Sequence, residues 1–399
     1  MSVGQSFDAD PRSAGEEAVS RALQGRAATL LLIFCPSTID VHPMLKGVQR
    51  VTPDETVIAG CTTFGEIAPV VDGAGRPGVD SSVVAVALGG PGFEVVSAAD
   101  RDVSTHRRES GAAVSAVMSQ LTLPHRTLLL LADGLSREQH EIVRGAYAEI
   151  GATSPIVGGC SADDLSYRLT HQFHGTGAAI EVLQDGLVGI ALGSSSPMGA
   201  GIAHGWTKVG DAMMVTSSEG GHVHLLDGEP AAQVYWSRVA PAGMTLEDAM
   251  ELRENDPVAF RDIIFRNPLG LSRRTGEDIR VLHDIDAEDG SIICLADVPQ
   301  GAVAWSMQTD PDALIEAAAA SCNAAAEAVG EAEPLGFLVF DCGARRLKLG
   351  EDGVRSEQEA IGKLAGGKPF GGFYTYGEIG RLQGARGMHQ LTVVTLALT

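Results

Sequence analysis

The chain has 399 residues, 44% of them hydrophobic, 20% charged and 5% aromatic, a length that holds two or three domains with proper cores and a composition too apolar for disorder. Its 29 lysines and arginines against 51 aspartates and glutamates leave a formal charge of −22, a field that repels phosphate backbones and anionic lipid, so no nucleic acid and no membrane insertion is expected. The apolar runs at 30–35 and 128–132 fall far short of the roughly 18 residues of a membrane span, the first residues carry no basic-then-apolar leader, and six dispersed cysteines without a C-x-x-C pair argue against a disulfide framework, which together predict a cytoplasmic protein.

In chain order, 28–35 and 56–61 read as strands with a helix at 41–51 between them. Residues 82–88 and 93–98 read as a hairpin turned by Gly89-Gly90-Pro91-Gly92. A long helix is expected from Ser104 to just before Leu123-Pro124. A buried, parallel βαβ passage follows: strand 127–132, helix 136–150 capped by Ser136 and left at Gly151, strand 155–159. From 167 to 216, strand-length runs between turn signals such as Gln184-Asp185-Gly186 predict an antiparallel meander. A boundary is expected at 200–205, giving a polar tail entering a helix at 1–27 and domains at 28–204 and 205–399. The second domain should hold helices at 229–239, 245–254 and 311–329, the last opened by Asp310 and Pro311 and closed by Gly330. Its alanine-rich stretch suits a close approach of backbone to sheet, the sheet strands being 301–307, 336–340, 370–374 and 391–396. The fold class is α/β (mixed α+β): two tandem layered domains with mixed parallel and antiparallel sheets.

One internal similarity stands out. The segments 57–67 and 369–379 both run from a strand into Thr-aromatic-Gly-Glu-Ile, and 155–164 keeps strand, glycine, cysteine, hydroxyl and acid in the same order. The irregular spacing excludes a solenoid and fits duplicated α/β units. Such strand ends offer bare backbone N–H groups, hydroxyls and a carboxylate to a ligand pocket; equally, the glycines make tight bends and Glu66 and Glu378 satisfy nearby amides. At another strand end, Asp341-Cys342-Gly343-Ala344-Arg345 places a guanidinium that could clamp a carboxylate, or activate Cys342, beside the alternative of a buried cysteine next to a structural arginine. His222-Val223-His224 and His171 with His174 lack a third metal ligand at a diagnostic spacing. No phosphate loop, G-x-S-x-G elbow, H-E-x-x-H or dinucleotide fingerprint is found, so no cofactor is expected.

The strings GCTTFGEI, VGGCSADD, YRLTHQFHG, DGLVGIALG, NDPVAFRDIIFRNPLGL, FDCGARRLKLG and GGFYTYGEIG resemble the FIST family, named for F-box and intracellular signal transduction proteins. Residues from about 28 to 200 resemble its N-terminal domain and those from about 221 to 381 its C-terminal domain. The resemblance implies a sensory module for a small ligand, with amino acids the proposed class. It marks Gly65, Glu66, Gly159, Asp164, Cys342, Arg345, Tyr374, Thr375, Gly377 and Glu378, while His389-Gln390-Leu391-Thr392 stands where relatives often show His-Asn-x-Thr. No F-box, kinase, cyclase or chemoreceptor segment is appended, so the output is expected to pass to a separate signalling protein. The ligand-binding set is Thr63, Gly65, Glu66, Gly159, Cys160, Asp164, Cys342, Arg345, Gly372, Tyr374, Thr375, Gly377 and Glu378. Backbone N–H groups at Gly159, Gly371 and Gly372 with Arg345 would take a carboxylate, and Glu66 or Glu378 an ammonium. Two rivals remain: a hydrolase or transferase using Cys160 or Cys342, and an acidic scaffold that recruits a basic partner.

Overall fold

The computed structural model describes residues 1–71, 75–78, 80–273, 276–382 and 387–399. The described chain divides into two compact units, Met1–His204 with Ile315–Thr399, and Gly205–Leu314.

The first unit is built three times over from one plan. Its first stretch runs β1 (Ser2–Ser6), α1 (Pro11–Leu23), β2 (Leu30–Pro36), α2 (Val41–Val51), β3 (Val57–Thr63), β4 (Glu66–Ile67) and β5 (Val83–Leu88). The second runs β6 (Phe93–Asp100), α3 (Arg107–Ser115), β7 (His125–Ala132), α4 (His140–Ile150), β8 (Ile156–Cys160), β9 (Gln172–Thr176), β10 (Ala179–Leu183) and β11 (Leu187–Ser194). The third opens with β12 (Met198–Ala203) and is interrupted by the second unit. That unit comprises β13 (Thr207–Glu219), β14 (His222–Leu226), β15 (Glu229–Pro230), α5 (Ala231–Val239), α6 (Leu246–Asn255), α7 (Pro257–Phe265), β16 (Leu269–Arg273), β17 (Gly276–Arg280), β18 (Leu282–Ile285), β19 (Ile292–Cys294) and β20 (Val303–Gln308). The third stretch resumes with α8 (Pro311–Ala328), β21 (Gly336–Cys342), α9 (Gly343–Ala365), β22 (Phe370–Thr375), β23 (Glu378–Arg381), β24 (Gly387–His389) and β25 (Val393–Leu398).

Each stretch forms a sheet around a parallel pair, β2 with β3, β7 with β8 and β21 with β22. The last strand of each stretch folds back antiparallel on the first of the pair, and its opening strand lies outside that. The strand after the pair crosses to another sheet: β4 joins β22, β23 joins β8, and β9 joins β3. Each sheet therefore receives a strand from another repeat, in a closed cycle. Their inner faces share one core, in which Phe34 and Phe340 pack on Phe373 with ring centroids 4.8 and 5.6 Å apart. Helices α1 and α2 cover the outer face of the first sheet, α3 and α4 that of the second.

Local chemistry sets the helix ends. Asp10 and Asp40 accept from Ser13 N and His42 N at the starts of α1 and α2, and Asp310 accepts from Ala313 N at the start of α8. The small face of α8 does approach the sheet closely: Ser321 Oγ donates to the carbonyl of Gly201 on β12 at 3.0 Å and also lies 3.0 Å from Thr395 Oγ1 on β25. The second unit is an antiparallel sheet, ordered β17-β16-β20-β13-β14-β19-β18, with Tyr235, Trp236 and Phe260 from its helices in the core.

Several expectations fail for identifiable reasons. The runs 83–88 and 93–100 are not a hairpin; they lie in different sheets, pairing with β2 and β11. The meander at 167–216 is a single hairpin, β9 with β10, followed by strands dealt to different sheets. The long helix after Ser104 shortens to α3 between two 3₁₀ turns, where Ser115 Oγ bonds back to Gly111 O. Ser136 does not cap α4, because Glu138 takes a positive φ of 54° and postpones the helix to His140. Helices α7 and α9 had no sequence forecast, and the duplication is a triplication.

Candidate functional site

At the carboxyl ends of the three parallel pairs the crossing turns bond to one another in a ring. Phe64 N donates to Tyr374 O and Tyr374 N to Gly65 O; Tyr376 N donates to Cys160 O and Cys160 N to Gly377 O; Ala162 N donates to Thr62 O. The two closest copies share their geometry in detail. Thr63 Oγ1 donates to Glu66 Oε1 at 2.6 Å and accepts from Gly65 N at 3.1 Å, while Thr375 Oγ1 donates to Glu378 Oε1 at 2.8 Å and accepts from Gly377 N at 3.2 Å. The positive φ of 120° at Gly65 and 156° at Gly377 lets the chain turn back within two residues. The third copy diverges after its serine: Ser161 Oγ accepts from Gln172 Nε2 and Gly134 N, and Asp164 is exposed.

Of the thirteen residues singled out from the sequence, twelve lie on this ring or directly behind it. Glu378 is in register with Gly159, Thr375 with Cys342, and Gly372 beside Ile67. Asp164 is exposed, between Asp163 and Leu165, which both bond Tyr376 Oη. Most of the twelve are closed off from solvent. Burial pushes Glu66 up to about 7 and Glu378 up to about 8, against the hydroxyl and amide donors Ser82 and Thr63 on the first and Thr392 and Thr375 on the second. A carboxylate that keeps its proton to pH 7 or 8 when folded and releases it near 4.5 when unfolded gives the native state the larger proton count between those limits, so stability falls as pH rises across that window. Replacing both by glutamine should therefore shift the balance of unfolding free energy toward the variant as pH goes from 5 to 9; a pH-independent difference in urea titrations would contradict the protonated assignment.

Arg345 is completely buried behind Tyr374. Its Nε donates to Asp341 at 2.6 Å, its Nη2 to Glu357 at 3.0 Å and its Nη1 to His204 O at 2.8 Å, and Tyr374 Oη donates to the far oxygen of Glu357 at 2.6 Å. Burial and the facing Asp341 carboxylate hold Glu357 well above the ordinary range. The thiols of Cys160 and Cys342 are pushed far up by burial, with Glu378 adding to both.

The solvent side of the ring carries side chains absent from the sequence-derived set. Phe64 and Tyr376, equivalent positions of the first and third turns, lie 6.3 Å apart. Arg346 stands 4.3 Å over Phe64 with Nε and Nη2 donating to Gly78 O. Tyr167 stacks on Tyr376 at 5.2 Å and is 60% exposed. It sits in a loop whose Leu165 and Tyr167 both take positive φ, 70° and 52°, held there by the Asp163 carboxylate, which accepts from Tyr376 Oη, Ser166 Oγ and the backbone N–H groups of Tyr167, Arg168 and Leu169. Such strain at non-glycine residues collects where binding or switching occurs. The aromatic slot of Thr-aromatic-Gly-Glu-Ile was visible in the sequence; Tyr167 stood there only as the first residue of the string YRLTHQFHG, with no role attached. A separate cavity of about 580 Å³ opens at the other end of β7, lined in part by His125, Arg126, Thr127 and Pro155. Among the described residues no group of three His, Cys, Asp or Glu is placed to hold a metal, and no described helix is long and apolar enough to cross a membrane.

Comparison with known proteins gives the family. The FIST N domain matches residues 29–229 and the FIST C domain residues 231–381, a junction that falls inside the second compact unit. An uncharacterised protein of Mycobacterium tuberculosis, found in strains CDC 1551 and H37Rv, is 26% identical over 400 residues, covering 98% of this chain and 97% of its own. An uncharacterised protein of Methanocaldococcus jannaschii is 27% identical over 158 residues, 40% of this chain and 30% of its own. FIST domains are associated with sensory roles in signal transduction. With its two domain types matched in sequence over most of its length, the chain belongs to the FIST family.

Proposed function

We propose that this chain senses an amino acid or a related small polar metabolite at the outer face of the strand-end ring and passes the signal to a separate protein through the loop at 163–170. The observation that carries the reading is the strained Tyr167 loop lying on Tyr376 where all three turns meet, since ligands of α/β folds collect outside the carboxyl ends of parallel strands. Phe64 and Tyr376 supply an aromatic floor, Arg346 a partner for the ligand carboxylate, and exposed Asp164 a partner for its ammonium. Glu66, Glu378, Thr63 and Thr375 shape the turns beneath, and the Arg345 cluster fixes Tyr374 behind them. A ligand that lifts Tyr167 off Tyr376 would be read out because it binds the two loop positions unequally. The rival thiol enzyme finds little support, since burial holds Cys160 and Cys342 in the unreactive protonated form.

A thermal-shift screen against amino acids and related metabolites tests this directly. A true ligand at 100 times its dissociation constant stabilises by about 2.7 kcal/mol. The response should vanish in Arg346→Ala and hold or grow in Tyr167→Ala, which removes the stack that the ligand has to displace. A screen without hits, a hit that Arg346→Ala retains, or a hit that Tyr167→Ala loses refutes the placement.

A further inference from the structure

Away from the strand-end ring, three side chains form a hydrogen-bonded chain with the order of a nucleophile, a base and an orienting acid. Ser97 on β6 has its Oγ 3.0 Å from His174 Nε2 on β9, and the other ring nitrogen, Nδ1, lies 3.4 Å from Glu181 Oε1 on β10. Arg101, one residue beyond β6, pairs with the second oxygen of Glu181 and so fixes the acid. With Nδ1–H donated to Glu181, Nε2 turns its lone pair to the serine hydroxyl, the arrangement by which serine is activated on unrelated folds. The chain is accessible at a rim between two sheets: the His174 side chain is 20% exposed and that of Glu181 38%. Because β6 ends its sheet, alternate backbone N–H groups along its outer side have no strand partner among the described strands, which supplies donors of the kind that stabilise an oxyanion.

We propose that Ser97, His174 and Glu181 form a hydrolytic centre for short-chain, neutral acyl esters. The residues on the same face of β6 to either side of Ser97 are Val95 and Ala99, both partly buried and apolar, which favours a small uncharged acyl group. Ser97 Oγ forms a bond to the ester carbonyl carbon while its proton passes to His174 Nε2. The C–O bond to the alcohol then breaks and the departing oxygen takes that proton. Water attacks the acyl-serine, gives one proton to Nε2 and releases the acid; that proton returns to Oγ, for a net conversion of ester and water into acid and alcohol. The proposal does not rest on the sensory reading, and neither falls with the other.

An alkyl fluorophosphonate probe, which bonds phosphorus to an activated serine Oγ with loss of fluoride, tests it on the full chain. Mass spectrometry should find one adduct, on the peptide holding Ser97. Ser97→Ala, with an unchanged melting temperature, should lose both the adduct and the hydrolysis of p-nitrophenyl acetate. Glu181→Gln, which acts only through the imidazole, should lower kcat on the order of 10²-fold or more while leaving KM in place. Absence of any adduct on the wild-type chain, an adduct mapped elsewhere, or wild-type hydrolysis by Ser97→Ala overturns the assignment and leaves the trio a structural hydrogen-bond chain. Should Ser97→Ala fail to fold, the position of the wild-type adduct decides alone.

Discussion

Arg345→Met should cost about 3–5 kcal/mol of unfolding free energy, the range observed when one partner of a buried ion pair is removed and the other is left without compensation. The methionine fills much of the same volume, so the loss is electrostatic in origin. Asp341 and Glu357 are each completely buried, and both are held by the one guanidinium. Without it, two carboxyl groups face each other in a medium that solvates neither charge, and Tyr374 loses the fixed orientation of its acceptor. The mechanism makes a second, sharper forecast. Combining Arg345→Met with Asp341→Asn and Glu357→Gln removes the charges that the arginine compensates, so the triple variant should be more stable than the single one. Guanidinium titrations of the three proteins, wild type, single and triple variant, check both points. A single variant within about 1 kcal/mol of wild type, inside the range of ordinary surface changes and mild substitutions, would show that water or another group reaches the carboxylates. A triple variant less stable than the single one would show that shape, and not charge, dominates the cluster.

How far the sequence reveals this architecture depends on whether a signal is local. The strand of 30–36, the helix Val41–Val51 and the cap Asp310-Pro311 are all legible, because apolar periodicity and cap chemistry are properties of neighbouring residues. The exchange of strands among three sheets is not, because whether 93–100 pairs with 83–88 or with 187–194 is settled by residues far away in sequence. Helix α9 is illegible for a different reason: Gly350, Gly353 and Gly362 weaken its helical pattern, and Gly350, with φ of 65°, interrupts it. The recurring strand-end motif comprises the segments that form the ring, yet the pattern shared between copies marks the buried half of each turn. On the outer half the aromatic is kept in two copies, Phe64 and Tyr376, and lost at Ala162 in the other, as positions facing solvent or a ligand are free to do, while Arg346 and Tyr167 lie outside the motif. Repetition thus reports what the fold requires, and the departures from repetition point to what is particular to one place.

That distinction gives the second large expected effect. Gly60, Gly158 and Gly372 occupy the same place in the three repeats, three residues before the hydroxyl of each turn. A Cβ there would lie 1.9, 2.0 and 1.7 Å from the carbonyl oxygens of Ile33, Leu130 and Val339 on the neighbouring parallel strand. The obstructing atom is backbone in every case, within a strand buried on both faces, so no side chain can swing aside. Each Gly→Ala change should therefore destabilise by about 3 kcal/mol or more, at the upper end for overpacking, with Gly158→Ala further strained by its φ of 141°. Gly362→Ala is the matched control: on α9 its Cβ meets only the Phe370 ring at 3.5 Å, and helix propensity predicts a gain of roughly 0.5–1 kcal/mol. Thermal melts of the four variants separate two accounts of the glycines. If the three strand variants fall together while Gly362→Ala holds or rises, close approach of paired strands is the common requirement that fixes these positions. Were Gly372→Ala tolerated while the other two failed, the third repeat would be an imitation of the first two in sequence alone, and the ring would owe its closure to only two of its three turns.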